Sequence, residues 1–138
     1  MDVSKEKWEV VGDFKGLERT ELIFDGDSKT AWTLRNETPV DVVIDLGEVL
    51  RLKGFRYLPD QGRWDTGIIF NYELYCSLNG KNWGKPISEG EFPNIKNNPV
   101  WQEKTFPITS GRFLKFRALS PAMEGGRVGF AEFDVLTE

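Results

Sequence analysis

The most regular feature of the chain is a two-residue alternation of apolar and polar positions, in short runs that each stop at Gly, Pro, Asn or Asp. Tyr72-Glu73-Leu74-Tyr75-Cys76-Ser77 is the clearest run: Tyr72, Leu74 and Cys76 fall on one face of an extended chain, and Asn79-Gly80 follows as a tight turn. Residues 42–46 place Val42, Ile44 and Leu46 on one face and end at Gly47. A second run covers 50–58 and is predicted to pair with the first or lie beside it. Further strands are predicted over 101–106, 113–118 and 130–136. The segment 8–11 also reads as a strand, so both ends of the chain are expected to be tied into sheets. One helical turn near the N-terminus is the only helical candidate, because no period of about 3.6 residues is sustained anywhere. Seven or eight short strands closed by turn residues predict an all-β sandwich or barrel. With no repeats, linkers or low-complexity tracts, residues 1–138 read as one domain.

Composition sharpens this picture. At 39% apolar residues the chain can bury one substantial core, and ten Phe with five Trp are large, stiff groups that fill the space between packed sheets. Trp32, Trp83 and Trp101 lie next to strand patterns and are predicted to be core. The net charge of −4 comes from 22 acids interleaved with 18 bases, which gives no positive field for phosphate backbones or anionic headgroups. Nucleic acid is excluded as a partner, and a membrane surface is disfavoured. Cys76 has no second cysteine to pair with and is expected to be a small buried residue rather than a reactive thiol. Residues 1–7 are charged with no apolar run behind them, so they do not read as a signal peptide, and no run is long enough to span a bilayer. The chain has no His, which removes the usual proton-transfer group and the usual base for a Ser or Cys nucleophile. It is predicted to bind rather than catalyse.

Two segments carry candidate chemistry. In Asp25-Gly26-Asp27-Ser28-Lys29-Thr30-Ala31-Trp32, short carboxylates on either side of a glycine put several oxygens on one side of a turn, as a hard cation requires. An EF-hand is excluded, because Thr30 stands where its glycine should be and Asn36 where its glutamate should be. Spacing alone leaves two readings open, a cation turn or an Asp-Gly turn capped by its own side chains. Glu132, in a segment of the last strand otherwise apolar on alternate sides, is the candidate distant ligand. The second segment, Pro59-Asp60-Gln61-Gly62-Arg63-Trp64-Asp65-Thr66-Gly67, sets Trp64 among polar neighbours. A sugar packs its C–H face on an aromatic plane while planar polar groups bridge its hydroxyls, and Trp64 with Arg63, Asp60 and Gln61 matches that requirement. The other reading folds Trp64 onto the core beneath Arg63.

Asp25-Gly26-Asp27, Thr30, Trp32, Ile44-Asp45-Leu46-Gly47, Tyr72, Ser77, Gly80, Trp83 and Ala131-Glu132 together resemble the discoidin, or coagulation factor V/VIII type C, superfamily over nearly the whole chain. Lys7-Trp8-Glu9-Val10-Val11, Tyr57-Leu58-Pro59 and Asn82-Trp83-Gly84-Lys85-Pro86 look most like bacterial carbohydrate-binding modules of family 32, which are commonly appended to glycoside hydrolases such as β-N-acetylhexosaminidases (chitobiases) and α-L-fucosidases. The resemblance implies a galactose-binding-like jelly-roll β-sandwich of about eight antiparallel strands in two sheets. It also implies a module cut from a larger hydrolase. Such a module is monomeric, works outside the cytoplasm, touches the catalytic domain of its parent and binds glycans containing galactose, N-acetylhexosamine or fucose. A structural calcium ion is implied at the carboxylates of Asp25, Asp27 and Glu132, at Thr30 and at the carbonyls of Leu22 and Ala131. Loops at one end of a sandwich cluster, so the segments 33–36 and 121–127 are expected beside the Trp64 loop, which adds Arg35, Asn36 and Arg127 as sugar-binding candidates. Galactose-binding members often carry Trp-His in the first of these loops, where this chain has Trp32-Thr33. The alternative function is a protein-interaction or adhesion domain of the same fold.

Overall fold

The structure, a computed structural model, describes residues 5–11, 20–27, 29–34, 39–61, 68–92, 95, 100–122 and 128–138. Among the described residues eight strands follow in chain order: β1 (Glu9–Val11), β2 (Trp32–Leu34), β3 (Val40–Leu58), β4 (Ile69–Ser77), β5 (Ser88–Glu91), β6 (Gln102–Pro121), β7 (Val128–Phe130) and β8 (Glu132–Thr137). Among the described residues the one helical element is a single 3-10 turn, Thr20–Ile23, between β1 and β2. The larger sheet runs β1-β3-β6-β4-β5 with β8 also on β3, and β2 pairs with β7 in the smaller one. All these pairings are antiparallel. This is the antiparallel jelly-roll sandwich expected of the chain. Among the described residues no helix is long and apolar enough to cross a membrane.

The runs over 42–46 and 50–58 do not pair with each other, as the alternation suggested. They are the two halves of β3. Gly47 takes φ 80°, a left-handed conformation open to glycine, and its N–H donates to the Asp45 carboxylate at 2.8 Å. The chain therefore bulges and continues instead of reversing, and a side chain at this position would run into Lys7. The runs over 101–106 and 113–118 are likewise fused in β6, which follows β3 through both halves. The opposite edge of β3 is shared by the chain ends, with β1 on the first half and β8 on the second. The run over 130–136 is broken at Ala131, whose N–H donates to the Leu58 carbonyl at 2.8 Å, so β7 can turn to β2 while β8 stays on β3.

Both halves of β3 feed one core. Val40, Val42, Ile44 and Leu46 come from the first half and Leu52, Phe55 and Tyr57 from the second, all buried. At its centre Tyr72 stacks on Phe92 with ring centroids 4.7 Å apart, Phe55 meets Tyr72 edge-on at 5.4 Å, and Phe116 and Phe130 meet at 5.2 Å. Each such pair adds about 0.5–1.5 kcal/mol beyond the area it buries. Of the three tryptophans predicted to be core, only Trp32 is buried. Trp83 is half-buried in the turn beyond β4, with the Lys115 ammonium 4.9 Å from its ring. Trp101 is 37% exposed and lies beneath the Arg56 guanidinium at 4.4 Å. It precedes Gln102, the first residue of β6 to enter the ladder, so nothing draws its ring inward. Cys76 is half-buried rather than fully so, and burial pushes its thiol up to about 11, which leaves it unreactive at neutral pH.

Candidate functional site

Two joints meet along the short segment from β7 into β8. The first is the acidic turn. After the 3-10 turn, which carries Leu22, the chain reverses through Gly26 at φ 75°. The Asp25 carboxylate accepts the Asp27 N–H at 3.0 Å and the Thr30 hydroxyl, and the Asp27 carboxylate accepts the Lys29 N–H at 2.9 Å. This is the self-capped turn that spacing left open. It is not isolated, however: the Gly26 N–H donates 2.9 Å to Oε1 of Glu132 across the molecule. Ala131 and Glu132 are both buried. The structure thus brings Asp25, Asp27 and Thr30 together in one turn and ties that turn to Glu132, joining the first long loop to the last strand; Leu22 stands three residues before Asp25, and Ala131 directly precedes Glu132.

The donors in that neighbourhood are carboxylates, a hydroxyl and main-chain carbonyls, the oxygen set that suits calcium. Their arrangement is that of a clasp closed by the protein's own groups. Among the described residues, no three carboxylate, thiol or imidazole side chains converge on a common point. On Glu132 the second carboxylate oxygen, Oε2, accepts a hydrogen bond from the Lys5 ammonium. Burial pushes the Glu132 carboxyl above its ordinary range and the nearby Asp25 charge adds to the rise, while Lys5 and the Gly26 N–H act against both.

The second joint is the Tyr57 phenol. It is fully buried between Phe92 and Phe130, with ring centroids 5.2 Å away on each side. Its hydroxyl donates 2.6 Å to the Gly129 carbonyl and accepts the Ile69 N–H at 3.1 Å. Burial drives the phenol far above its ordinary pKa, so it stays a neutral donor. Ile69 opens β4 where the Trp64 loop returns, and Gly129 lies in β7 beyond the loop from β6. The Ala122 N–H donates to the Ile68 carbonyl at 2.8 Å, and Leu34 pairs with Val128. The stems of three loops, those after Leu34, after Leu58 and after Ala122, therefore come together at one end of the sandwich.

Asp60 is half-buried at the start of the second loop, and exposed Gln61 folds back to donate 2.8 Å from Nε2 to the Pro59 carbonyl. The sugar-binding candidates Arg35, Asn36, Arg63, Trp64 and Arg127 lie outside the described residues. Two other carboxylates on β3 are committed to arginines by paired hydrogen bonds. Asp41 accepts Arg117 at 2.8 and 3.2 Å, and Asp45 accepts Arg112 at 2.9 and 3.1 Å. The Arg112 guanidinium, followed by the Gly47 N–H, holds the Asp45 carboxyl below its usual range against the effect of burial.

Sequence reasoning missed Lys5 and the part played by Tyr57. Lys5 lies 127 positions from Glu132, and nothing in a charged terminal segment marks one of its lysines as the partner of a particular acid. For Tyr57 a weak signal existed: a buried tyrosine needs a partner for its hydroxyl, and this one directly precedes Leu58-Pro59 at a strand end.

A family model described as F5/8 type C domain matches residues 6–133. A sialidase from Micromonospora viridifaciens is 27% identical over 123 residues, which is 85% of this chain and 18% of the sialidase, so the chain spans about a fifth of that relative's length. A solved family 32 module of a Clostridium perfringens family 89 enzyme, in complex with GalNAc-β-1,3-galactose, superposes with a TM-score of 0.78 at 26% identity, covering 95% of this chain and 94% of that one. The C-terminal domain of a chitobiase from Bacteroides fragilis superposes with a TM-score of 0.81 over 100% of this chain and 98% of that one. At 20% identity, that likeness concerns the fold alone.

Proposed function

The chain belongs to the F5/8 type C domain family, and from that membership we propose that it is a non-catalytic carbohydrate-binding module. Its role is to hold an attached glycoside hydrolase, working outside the cytoplasm, against glycans that contain galactose, N-acetylhexosamine or fucose. The observation that carries this reading is the convergence of three loop stems around Tyr57. One of those loops holds Trp64 and its polar neighbours, and the other two hold Arg35, Asn36 and Arg127. An aromatic platform ringed by planar polar groups suits a sugar ring. The C. perfringens module solved with a GalNAc-galactose disaccharide supports the choice of ligand class. The chemistry available supports a non-catalytic reading: the chain has no His, and Asp41, Asp45 and Glu132 are each paired with a cation of the protein itself. Tethering raises the local concentration of substrate for the neighbouring enzyme without any reaction in the module.

The acidic turn is proposed to take a structural calcium ion through Asp25, Asp27, Thr30 and Glu132, with the Leu22 and Ala131 carbonyls. Such an ion would supply a charge link between loop and last strand.

Titration with galactose-, N-acetylgalactosamine- and fucose-terminated oligosaccharides tests the leading reading. One shallow site should bind in the millimolar to high micromolar range. Trp64→Ala should abolish binding with the melting midpoint unchanged. A wild-type protein that binds none of these sugars overturns the proposal in favour of docking to a protein.

A further inference from the structure

The carboxylate that fastens the acidic turn to the last strand is paired with a cation that the chain itself carries. The Lys5 ammonium hydrogen-bonds Oε2 of Glu132, lies 3.9 Å from Asp134 and sits 5.8 Å from the centre of the Trp8 ring. The Lys5 side chain is 19% exposed and that of Glu132 only 5%, so the contact is largely withdrawn from water. The ammonium is also anchored at its base. The Trp8 N–H donates to the Lys5 carbonyl at 3.1 Å, and the Trp8 ring packs edge-on against Phe24, one residue before Asp25, at 5.4 Å. Lys5 is thus held on the clasp from the side of β1, while the Gly26 N–H holds the other oxygen of Glu132 from the side of the turn.

We propose that Lys5 is the resident counter-charge of this clasp: without a metal ion it neutralises Glu132, whose other oxygen holds the Gly26 N–H of the turn, and it sets the affinity of the turn for a divalent ion low. The proposal rests on the calcium reading above only for its second half. Asp25, Asp27 and Glu132 carry three formal negative charges, and the Lys5 ammonium cancels one of them, leaving two. Oxygen cages tune calcium affinity over orders of magnitude through the number of charged ligands, so a lysine fixed on one ligand acts as a removed charge. A carboxylate as buried as Glu132 needs a counter-charge whether or not an ion is present, and Lys5 provides one.

Lys5→Met keeps a long apolar side chain and removes the charge with its hydrogen bond to Glu132, and Lys5→Arg keeps both a charge and a donor. Melting and calcium titration of wild type and both variants, in EDTA and then in calcium chloride, test the two halves separately. In EDTA, Lys5→Met should melt several degrees below wild type, with Lys5→Arg close to wild type. In calcium, Lys5→Met should bind about tenfold more tightly than wild type and regain its lost midpoint. An EDTA midpoint unchanged by Lys5→Met overturns the proposal whatever calcium does. Calcium binding that is equal or weaker in Lys5→Met overturns the claim that Lys5 lowers affinity. A lower EDTA midpoint with no calcium response in either protein upholds Lys5 as the cation of the clasp and overturns the calcium reading instead.

Discussion

The acidic clasp and the Tyr57 joint attach to the same four-residue stretch, 129–132, yet they are built from opposite chemistry. At Tyr57 a buried neutral phenol satisfies one carbonyl and one N–H among aromatic rings. At the clasp an exposed, self-capped turn is fastened by one N–H to a buried carboxylate that an ammonium neutralises. Between them the Ala131 N–H holds the stretch to β3 at Leu58. A joint of neutral buried hydrogen bonds does not respond to ions or salt, because nothing in it changes charge. A joint of charges does respond, through screening and through competing cations. The fold thus places a rigid support beneath the loop end where the Trp64 loop begins and returns, and an ion-sensitive fastening beside it.

The largest effect that would break this contrast belongs to Tyr57→Phe. Removing one oxygen leaves the Gly129 carbonyl and the Ile69 N–H buried without partners, at a cost of about 2–4 kcal/mol. Urea unfolding measures it, and the loss should be the same in low and in high salt. The variant should also bind sugar more weakly than its remaining folded fraction explains, because three loop stems lose their common tie. A loss below about 0.5 kcal/mol would show that the ring packing alone, and not the hydroxyl, holds the joint.

The next effect is that of Glu132→Gln, which preserves shape and can still accept the Gly26 N–H but leaves the Lys5 ammonium without its nearest counter-charge. About 1–2 kcal/mol is expected at low salt, since Lys5 keeps Asp134 and some water. Part of that loss should disappear in 1 M sodium chloride, where the Debye length is about 3 Å and the wild-type pair is itself weakened. A loss independent of salt would erase the distinction between the two joints.

Sequence reasoning read these regions unequally, and the reasons are physical. The acidic turn was legible because short carboxylates flanking a glycine announce a turn locally, and Glu132 because it follows Ala131 in a strand whose alternate positions are apolar. Lys5 was not legible, since its contact exists only after β1 and β8 have docked along one edge of β3. Alternation placed Tyr57 in a strand but could not say what its hydroxyl would meet. The joining of 42–46 to 50–58 was hidden by Gly47, whose left-handed backbone serves a hairpin turn and a bulge equally well. The bulge won because β6 offers an antiparallel partner on both sides of it. For Trp101, proximity to a strand suggested burial, whereas the ladder begins one residue later.

The smallest effect extends the comparison to a charge pair nearer to solvent. Asp45 is held by Arg112, whose side chain is 43% exposed, through two hydrogen bonds, and by the Gly47 N–H at the bulge of β3. These contacts lower the Asp45 carboxyl from the ordinary value of 3.8. A carboxylate with a lowered folded-state pKa binds fewer protons in the fold than in the unfolded chain between the two values, so its stabilisation is complete above the unfolded value. It is lost as pH falls from that value through the folded one. Asp45→Asn should therefore melt a little below wild type by a constant margin from pH 7 to about pH 5, and the margin should shrink below about pH 4. Sodium chloride should also reduce the margin at neutral pH, because Arg112 stands largely in water, and by a larger fraction than it reduces the effect of Glu132→Gln. A margin that persists unchanged to pH 3 would mean that Asp45 acts through its bond to Gly47, as a brace of the bulge, and that only the clasp at Glu132 is held by charge.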